Sequence, residues 1–364
     1  MLNRSKILNE LSLSIPRLST NYATEYAVAK SLWDTIKNDP GLAETLKKSK
    51  QPIPLPTWQG AVGATNSINP IGCHDVIAID GSQIYPDRHE GISCFVINIG
   101  TVFFKYRDAQ SSVELNSIPY LLSHTATGEF ENKQEIVNAM RTEREFIDGL
   151  ELMNAQTATM PRLMLVDGSL IFWHLQVTQS EAKKEYLSRY VKILEQYYQN
   201  KQLLAGYVSQ PQSRELINIV RVVGQQKTGQ LLELQTLVDA DIAHHYLPPY
   251  ERTILFQNHA TVTEQYPEHS KPYFYYFNTG NEIARIEIPA WIALNNDYLS
   301  ITESIIKDQC SKGFGYPIAL AEAHEQAVVA EADREFFYMT IQGMLHNQGS
   351  RSSQKLMKKK RMPI

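Results

Sequence analysis

The chain has 364 residues, of which 43% are hydrophobic and 20% are charged. This composition is typical of a globular protein of about two domains, and it excludes fibrous and disordered proteins. No stretch approaches the roughly 18 uninterrupted apolar residues of a membrane helix, and no secretory signal is visible, so we expect a cytoplasmic protein without membrane contact.

Positive charge is concentrated at the end of the sequence. Lys and Arg number 35 against 39 Asp and Glu, which gives a formal net charge of −4. The last acidic residue is Glu335, and every charged residue after it is Lys or Arg. We expect residues 346–364 to be a disordered basic tail. Without the six basic residues that follow Glu335, the rest of the chain has 29 basic and 39 acidic residues, so any contact with nucleic acid there would have to come from local patches.

Residues 1–75 are predicted to form a helical N-terminal extension and a linker. Apolar residues recur with helical spacing between Asn21 and Lys50, and Asp39-Pro40 interrupts the pattern. A proline-rich stretch over 51–56 then predicts the linker.

A buried sheet is predicted to follow. Val76–Ile79 is an apolar run without polar alternation, as in a strand buried on both faces, and it ends in Asp80-Gly81-Ser82. Two β-rich stretches come next, 93–98 and 101–106, and the Ile99-Gly100 between them predicts a tight hairpin. The core is therefore predicted to begin with three strands.

The rest of the core alternates between helix and strand. A long helix is predicted over 131–156, and the strand 163–166 after it ends in Asp167-Gly168-Ser169, a second copy of Asp-Gly-Ser. The later predicted elements are a helix over 180–199, a strand over 203–208, a helix over about 213–223, a strand over 286–293 and a terminal helix from Pro317 to about Leu345.

The predicted fold class is α/β, with a mixed sheet flanked by helices. We predict one core domain over residues 76–345, which follows the N-terminal extension and precedes the basic tail. A less regular, tyrosine-rich segment at about 225–278 is predicted to be an inserted subdomain.

Two aspartates are the first candidates for a functional site. Asp80 and Asp167 each follow an apolar strand, and parallel strands would bring both carboxylates to the edge of the sheet where α/β proteins bind ligands. The glycine after each allows close backbone approach, and the serine can cap the next element. Turn chemistry alone also explains an Asp-Gly-Ser triplet, so both explanations stay open.

A glutamate on the long predicted helix is the third candidate. Glu143 falls on the apolar stripe of this helix, where a carboxylate is costly unless it is paired or bound to a cation. Glu145 is expected on the polar side. Glu143 is therefore either half of an ion pair, for example with Arg141 or Arg162, or a metal ligand.

Three carboxylates in the order strand, helix, strand suit Mg²⁺ or Mn²⁺, which prefer oxygen ligands. Two such ions, roughly 3.5–4 Å apart, can activate a water and stabilise the leaving oxygen in phosphodiester hydrolysis. The same order of acids on a β-β-β-α-β frame is the plan of RNase H-like nucleases, which is an analogy of fold.

His324 is a further candidate, near the start of the predicted terminal helix. It shares a stripe with Leu320 and Val328, so it is expected to face the body of the protein and not solvent. A hydrogen-bonded core histidine fits this pattern. So does an imidazole that binds Mn²⁺ or, when protonated, stabilises a leaving phosphate.

Two other clusters are weaker candidates. Asp239, Asp241, His244 and His245 could bind a metal by composition, but we expect them to lie in a solvated segment. The aromatic run 273–277 could stack unpaired bases, although a strand in the core or in a dimer interface is the simpler explanation.

From Val76 to about Phe337 the sequence resembles the NurA nucleases. The resemblance rests on motifs in a fixed order: Ile79-Asp80-Gly81-Ser82, Leu165-Val166-Asp167-Gly168-Ser169-Leu170, Gly206-Tyr207-Val208-Ser209 with Ser213-Arg214, Ile286-Glu287-Ile288-Pro289-Ala290-Trp291, and Gly315-Tyr316-Pro317 with Ala323-His324.

This resemblance implies an RNase H-like core, a homodimer, and Mn²⁺-dependent exonuclease and endonuclease activity on DNA, although Mg²⁺ stays open. It also implies a role in DNA end processing and double-strand break repair with a HerA-type hexameric ATPase. By position, Asp80 and Asp167 resemble the metal-binding aspartates of the family, and Glu143 is the best candidate for its intervening glutamate, with Glu145, two residues away, as the alternative. Tyr207 and His324 resemble its later active-site residues, with His324 also a metal ligand.

Two other functions stay open at this point. One is a phosphatase acting on small phosphoesters, because an apolar strand ending in Asp also serves phosphoaspartate chemistry. The other is a non-catalytic subunit that binds DNA or docks on a motor ATPase, with structural acids.

Overall fold

The computed structural model describes residues 3–48, 53–85, 94–123, 133–155, 159–173 and 181–347. From residue 348 onward, the predicted basic tail lies outside the described residues. Backbone contacts divide the chain into two compact units. The first contains Met1–Ile71, Gly168–Phe172 and Ala205–Tyr316, and the second contains Gly72–Asp167, Trp173–Leu204 and Pro317–Ile364.

The helices in chain order are α1 (Arg4–Ile36), α2 (Leu42–Lys47), α3 (Lys133–Asn154), α4 (Glu181–Gln199), α5 (Glu215–Thr228), α6 (Asp239–Tyr246), α7 (Ala290–Ala293), α8 (Asn296–Lys312), α9 (Ile318–Ala327) and α10 (Glu331–Asn347). Short 3₁₀ helices occupy Thr261–Gln265 and Glu268–Ser270. Among the described residues, no helix combines the length and the apolar character needed to cross a membrane.

The strands are β1 (Thr57–Trp58), β2 (Thr65–Ser67), β3 (His74–Ile84), β4 (Cys94–Tyr106), β5 (Ser112–Ser123), β6 (Arg162–Asp167), β7 (Leu203–Val208), β8 (Glu251–Thr253), β9 (Phe256–Gln257), β10 (Pro272–Asn278) and β11 (Ile283–Pro289). The molecule is therefore a mixed α/β protein, as the sequence predicted.

The second unit is built on a sheet with the strand order β6-β3-β4-β5. β3 is parallel to β6, and β4 is antiparallel to both β3 and β5. β3 and β6 are buried along most of their length, as their lack of polar alternation predicted. Helices α3 and α9 pack against this sheet. The predicted parallel pair of apolar strands is confirmed.

The two Asp-Gly-Ser triplets have different backbone structures. β3 continues through Asp80-Gly81-Ser82 to Ile84 because β4 stays paired with it, so the prediction that this strand ends at its triplet is wrong. β6 does end at Asp167, and Gly168 turns the chain with a φ of +120°. Pairing with a long neighbouring strand overrides the turn preference of the first triplet.

The predicted hairpin at Ile99-Gly100 is also wrong. Both residues lie inside β4, which is one continuous strand, and the third strand of this core is β5. A Cβ atom at Gly100 would lie 2.3 Å from the carbonyl oxygen of Ala323 in α9. The glycine therefore makes room for a helix that packs on the strand, and it does not form a turn.

The first unit has an antiparallel sheet with the order β1-β9-β10-β11-β7, and β8 joins β2 to β10. The aromatic run 273–277 lies in β10, and Phe274 to Phe277 are fully buried, which confirms its assignment to the core. Phe274 and Tyr276 share a cluster with Trp33 of α1 and with apolar residues of α5 and α6. The predicted break at Asp39-Pro40 separates α1 from α2.

Two predicted elements near the end of the chain are shorter than expected. The strand predicted over 286–293 ends at Pro289, and α7 follows. The single terminal helix predicted from Pro317 is two helices, α9 and α10. The carbonyl oxygen of Ala327 accepts hydrogen bonds from the side chains of Ser82 and Asn98, which fixes the end of α9 on the sheet.

Candidate active site

Parallel pairing places the two predicted aspartates side by side in the second unit. Ile79 of β3 pairs with Val166 of β6, so the next residues, Asp80 and Asp167, occupy equivalent positions on neighbouring strands. The Asp80 side chain is only 18% exposed, and its Oδ1 accepts a hydrogen bond from the Gly81 amide at 2.8 Å. Asp167, at the end of β6, is exposed. The Asp80 carboxylate is therefore partly buried and held by a backbone amide, and Asp167 lies at the exposed end of the neighbouring strand.

A third carboxylate reaches this point from α3, and it belongs to Glu145. A Cβ atom at Gly81 would lie 2.5 Å from Glu145 Oε1 and 2.7 Å from Cγ of Arg141. The glycine therefore leaves room for both side chains beside Asp80. Arg141 also donates to the Gly81 carbonyl oxygen at 3.2 Å, which joins α3 to β3.

The environment of Glu145 disfavours its negative charge. Burial raises the pKa of this carboxyl to about 7, the guanidinium of Arg141 lowers it, and the charges of Asp80 and Asp167 raise it further. Arg141 Nε lies 3.3 Å from Glu145 Oε1, but without the geometry of a hydrogen bond. The sequence prediction that Glu145 lies on the polar side of the helix is wrong, because only 5% of the residue is exposed.

Glu143, the residue predicted from the apolar stripe, has a different partner. It is buried, as predicted, but its two oxygens accept hydrogen bonds of 2.6 Å from Nε and Nη2 of Arg189 in α4. Burial raises the pKa of Glu143, and the charge of Arg189 opposes this shift. The structure thus brings Glu145, and not Glu143, to the two aspartates.

His324 approaches Asp80 from the other face of the sheet. Gly100 pairs with Asp80 across β3 and β4, so these two residues face the same side of the sheet, and Gly81 faces the other side. Gly100 contacts α9 and Gly81 contacts the side chains of α3, so the two helices lie on opposite faces of the sheet. Nδ1 of His324 lies 2.8 Å from Asp80 Oδ2. The prediction that His324 faces away from solvent is wrong, because its side chain is 60% exposed.

The contact with Asp80 determines how His324 can act. When Nδ1 carries the proton and donates to Asp80, Nε2 is the ring atom that remains for a substrate or an ion. Ser82 and Asn98 hold the end of α9 through the Ala327 carbonyl oxygen, which positions the whole helix. Gly81, for which the sequence predicted close approach, and Gly100, which the sequence assigned to a hairpin, are the two positions where these helices meet the sheet. An isolated glycine inside a strand pattern was the available signal.

Tyr207, the remaining predicted site residue, lies in the first unit. Its side chain is fully buried, and its hydroxyl donates to Glu282 Oε1 at 2.8 Å. A longer contact of 3.4 Å joins the same hydroxyl to the Gly315 carbonyl oxygen. Burial raises the pKa of Tyr207 far above its usual value, so the phenol is neutral.

The weaker sequence candidate for a metal site has a structural explanation. Asp239 is fully buried, so the expectation of a solvated segment is wrong for this residue. Its carboxylate accepts hydrogen bonds from the amides of Glu215 and Ile217 and from the Tyr276 hydroxyl. His245 contacts Asp34 of α1 instead of joining Asp239.

The carboxylates of Asp80, Glu145 and Asp167 are a donor set whose chemistry fits a divalent cation. Carboxylate oxygens are the preferred ligands of Mg²⁺ and are also accepted by Mn²⁺. Within the described residues, no three acidic, histidine or cysteine side chains already stand in a metal-binding arrangement. The negative charges of the two aspartates act on a buried glutamate with a raised pKa, and a cation would relieve this repulsion.

Comparison with known proteins gives one family match and similar folds. A family model described as the NurA domain matches residues 74–329. None of the curated proteins matches the chain significantly. The crystal structure of the NurA nuclease from Sulfolobus solfataricus has a TM-score of 0.58 at 14% identity, covering 96% of this chain and 98% of that chain. A structure of NurA with manganese gives 0.43 at 12% identity, covering 92% and 98%.

Proposed function

Because the chain belongs to the NurA family, we propose that it is a metal-dependent DNA nuclease that cuts phosphodiester bonds both as an exonuclease and as an endonuclease. The observation that carries this proposal is the convergence of Glu145 on the strand position of Asp80, beside Asp167. Carboxylate oxygens are the ligands that hard divalent cations prefer, and all three residues supply them.

Asp80, Glu145 and Asp167 would hold the metal, Mn²⁺ or Mg²⁺. When bound, the metal would activate the attacking water and offset the charge on the phosphate. Glu145 replaces Glu143 as the proposed helix ligand, since Arg189 engages both oxygens of Glu143. Asp80 orients the imidazole of His324, whose Nε2 can donate to the leaving oxygen when the ring is protonated.

The strand order of the second unit supports an RNase H-like core. Three antiparallel strands, then α3, then a strand parallel to the first, reproduce the β-β-β-α-β frame with an acid on β3, on α3 and on β6. From the family resemblance we also propose a homodimer that processes DNA ends in double-strand break repair with a HerA-type hexameric ATPase. Tyr207 would support this activity as a buried positioning residue, because its hydroxyl is engaged by Glu282.

The experiment incubates the full chain with end-labelled linear DNA in EDTA, Mg²⁺ or Mn²⁺. We expect cutting with metal, and a loss of at least about a hundredfold in Asp80→Asn and Glu145→Gln. Asp148→Asn is the matched control, because Asp148 is a buried acid of the same helix that is paired with Arg144 and Tyr120. Glu143→Gln beside Glu145→Gln decides which glutamate acts.

Three outcomes would contradict the proposal. Cutting in EDTA would show that the reaction does not need a metal. Full activity of Asp80→Asn would show that the proposed site is not the active site. DNA binding without cutting under Mn²⁺ would favour the non-catalytic subunit. Turnover of a small chromogenic phosphoester but not of DNA would favour the phosphatase.

A further inference from the structure

Arg141 of α3 is held in a fixed place beside Glu145. Its Nη1 donates to the Gly81 carbonyl oxygen and to Gln83 Oε1, both at 3.2 Å, and its Nε lies 3.3 Å from Glu145 Oε1. A Cβ atom at Gly81 would lie 2.7 Å from Cγ and 3.0 Å from Cδ of Arg141, so the glycine makes room for this side chain. The guanidinium is therefore fixed next to a carboxylate of the candidate site.

A chain of hydrogen bonds supports Gln83, the side chain that holds Arg141. The Gln83 amide donates to the Tyr85 hydroxyl oxygen at 2.9 Å, and that hydroxyl donates to Asn138 Oδ1 of α3 at 2.7 Å. Gln83 and Tyr85 lie two and four residues beyond Gly81, so all three positions share the face of the strand that meets α3. Contacts from both β3 and α3 thus fix the acceptor of Arg141.

The pairing of Arg141 with Glu145 differs from that of the neighbouring glutamate. Arg189 donates to both oxygens of Glu143 at 2.6 Å, which is the two-bond geometry of a complete ion pair. Arg141 instead approaches Glu145 through Nε alone, without the geometry of a hydrogen bond, and its Nη1 bonds to neutral groups of β3. Neutralising Glu145 therefore does not explain why the guanidinium is held where it is.

One nitrogen of this guanidinium is left for another anion. No residue in the described part of the chain accepts a hydrogen bond from Nη2 of Arg141, and the side chain is 31% exposed, so solutes can reach it. The guanidinium is always charged, and its planar set of N–H donors matches the oxygens of a phosphate. A fixed arginine with an unused donor beside the proposed metal ligands therefore suits the phosphate that the metal would bind.

We propose that Arg141 is a further catalytic residue, which donates from Nη2 to a non-bridging oxygen of the scissile phosphate, and that Gln83 positions it. This inference rests on the proposed function, in which a water oxygen bonds to phosphorus and the bond to the leaving oxygen breaks. Arg141 keeps its protons throughout. Because charge develops on the phosphate oxygens in the transition state, a donor fixed in advance stabilises that state more than the bound substrate. Its loss should therefore lower kcat more than it raises KM.

The first experiment measures kcat and KM for cutting of an end-labelled oligonucleotide by the full chain with Mn²⁺. Arg141→Met should lower kcat by about a hundredfold. Arg144→Met is the matched control, because Arg144 lies on the same helix, is 33% exposed and pairs with Asp148. It should leave kcat unchanged. Arg141→Lys keeps the charge but not the planar donor set, so it should recover only part of the rate.

A double-mutant comparison tests the role of Gln83. Gln83→Met should lower kcat in the wild-type background, because Arg141 loses an acceptor that holds it. It should have no further effect in Arg141→Met, since a positioning residue acts only through the group that it positions. Equal effects of Gln83→Met in both backgrounds would overturn this part of the proposal.

A second readout does not depend on cutting. Binding of the same oligonucleotide is measured in EDTA at several salt concentrations. Loss of one phosphate contact should make the dependence of log K on log salt less steep by about 0.9 in Arg141→Met, but not in Arg144→Met. The difference should persist when the oligonucleotide has a 5′-hydroxyl instead of a terminal phosphate. Its disappearance would place the terminal phosphate, and not the scissile one, at Arg141, and would overturn the proposal.

Equal kcat values or equal salt dependence in Arg141→Met and Arg144→Met would also overturn the inference, and so would absence of DNA binding by the wild type. These results are separable from those of the proposed function. Cutting that depends on Glu145 but not on Arg141 would leave the nuclease proposal intact while the inference fails. A change of salt dependence confined to Arg141→Met, without cutting under Mn²⁺, would support the phosphate contact while the nuclease proposal fails.

Discussion

Each unit of this protein has a group of three neighbouring acidic residues with an arginine close by, but the two groups are stabilised differently. In the first unit, Glu215 and Glu287 flank Arg285, which is 3% exposed, and Asp239 lies beside Glu215. Arg285 donates to Glu287 at 2.7 Å and to Glu215 at 2.9 Å. The carboxylates of Asp239 and Glu287 accept further bonds from backbone amides and hydroxyls of the same unit.

In the second unit, Glu145 lies beside Asp80 and Asp167 and is not paired in the same way. Within the described residues, the side chain of Glu145 accepts no hydrogen bond, and its neighbouring cation, Arg141, has a side chain that is 31% exposed. A buried carboxylate with such incomplete pairing is costly for folding. The comparison indicates that the acids of the first unit support the fold, whereas those of the second suit a cation from solution.

The largest expected effect tests the internally paired group. Arg285→Met leaves the buried Glu287 and the partly buried Glu215 without their cation, so we expect the free energy of unfolding to fall by about 3–5 kcal/mol. Urea unfolding monitored by circular dichroism measures this change. Arg141→Met, at the exposed end of the other group, should cost less than about 1 kcal/mol. If both variants lost the same free energy of unfolding, the two groups would not differ in how far they support the fold.

The next effect concerns the pH dependence of stability. The carboxyl of Glu145 ionises near pH 4.5 in the unfolded chain and near pH 7 in the native protein. Between these values the native state binds more protons than the unfolded state, so stability falls as the pH rises through this window and stays lower above it.

Glu145→Gln should therefore be more stable than the wild type at pH 8 without metal, by up to about 3 kcal/mol. The gain should shrink to nothing below pH 4.5. Unfolding midpoints from pH 4 to pH 8 in EDTA provide the measurement. A gain that does not depend on pH would show that the carboxylate charge is not the cause.

The third effect tests whether a cation supplies what the second unit lacks. Mn²⁺ at a hundredfold its dissociation constant should stabilise the wild type by about 2.7 kcal/mol. Asp80→Asn and Glu145→Gln should lose most of this gain, while Asp239→Asn, changed in the first unit, should keep it if it folds. Thermal unfolding at several Mn²⁺ concentrations makes the comparison. An equal Mn²⁺ response in all variants would point to binding elsewhere.

A further effect tests the packing that brings His324 to Asp80. Gly100→Ala would place a Cβ atom 2.3 Å from the backbone oxygen of Ala323, so α9 must move. We expect a loss of about 1–3 kcal/mol in stability. DNA cleavage should fall together with it, because His324 moves with the helix. Cleavage at the wild-type rate would show that the position of α9 does not limit the reaction.

The smallest expected effect concerns Glu143. Its partner Arg189 is partly exposed, with a side chain that is 44% accessible, so solvent screens the pair. Glu143→Gln should change stability by about 1 kcal/mol or less, and it should leave cleavage near the wild-type rate. Denaturant unfolding and the end-labelled DNA assay measure the two quantities. A hundredfold loss of cleavage would instead return Glu143 to the proposed site.

The two glutamates show where prediction from sequence stops. Helical periodicity assumes one buried face, but α3 packs against both β3 and α4, so residues on two of its sides are buried. Glu143 faces Arg189 and Glu145 faces Gly81, and both are removed from solvent. Only the identity of the neighbouring element separates their roles. The exposure of His324 and the role of Gly100 were mispredicted for the same reason, since each depends on how α9 lies on the sheet.

The sequence by itself determined the two buried parallel strands, the alternation of strands with helices, and the aspartates that the two strands carry. These features depend on the polarity of consecutive residues, which sequence displays directly. Tertiary structure alone decided that Glu145 lies beside Asp80 and that His324 contacts Asp80 from the opposite face of the sheet. Each of these depends on contacts between residues distant in the chain, and local patterns do not encode such contacts.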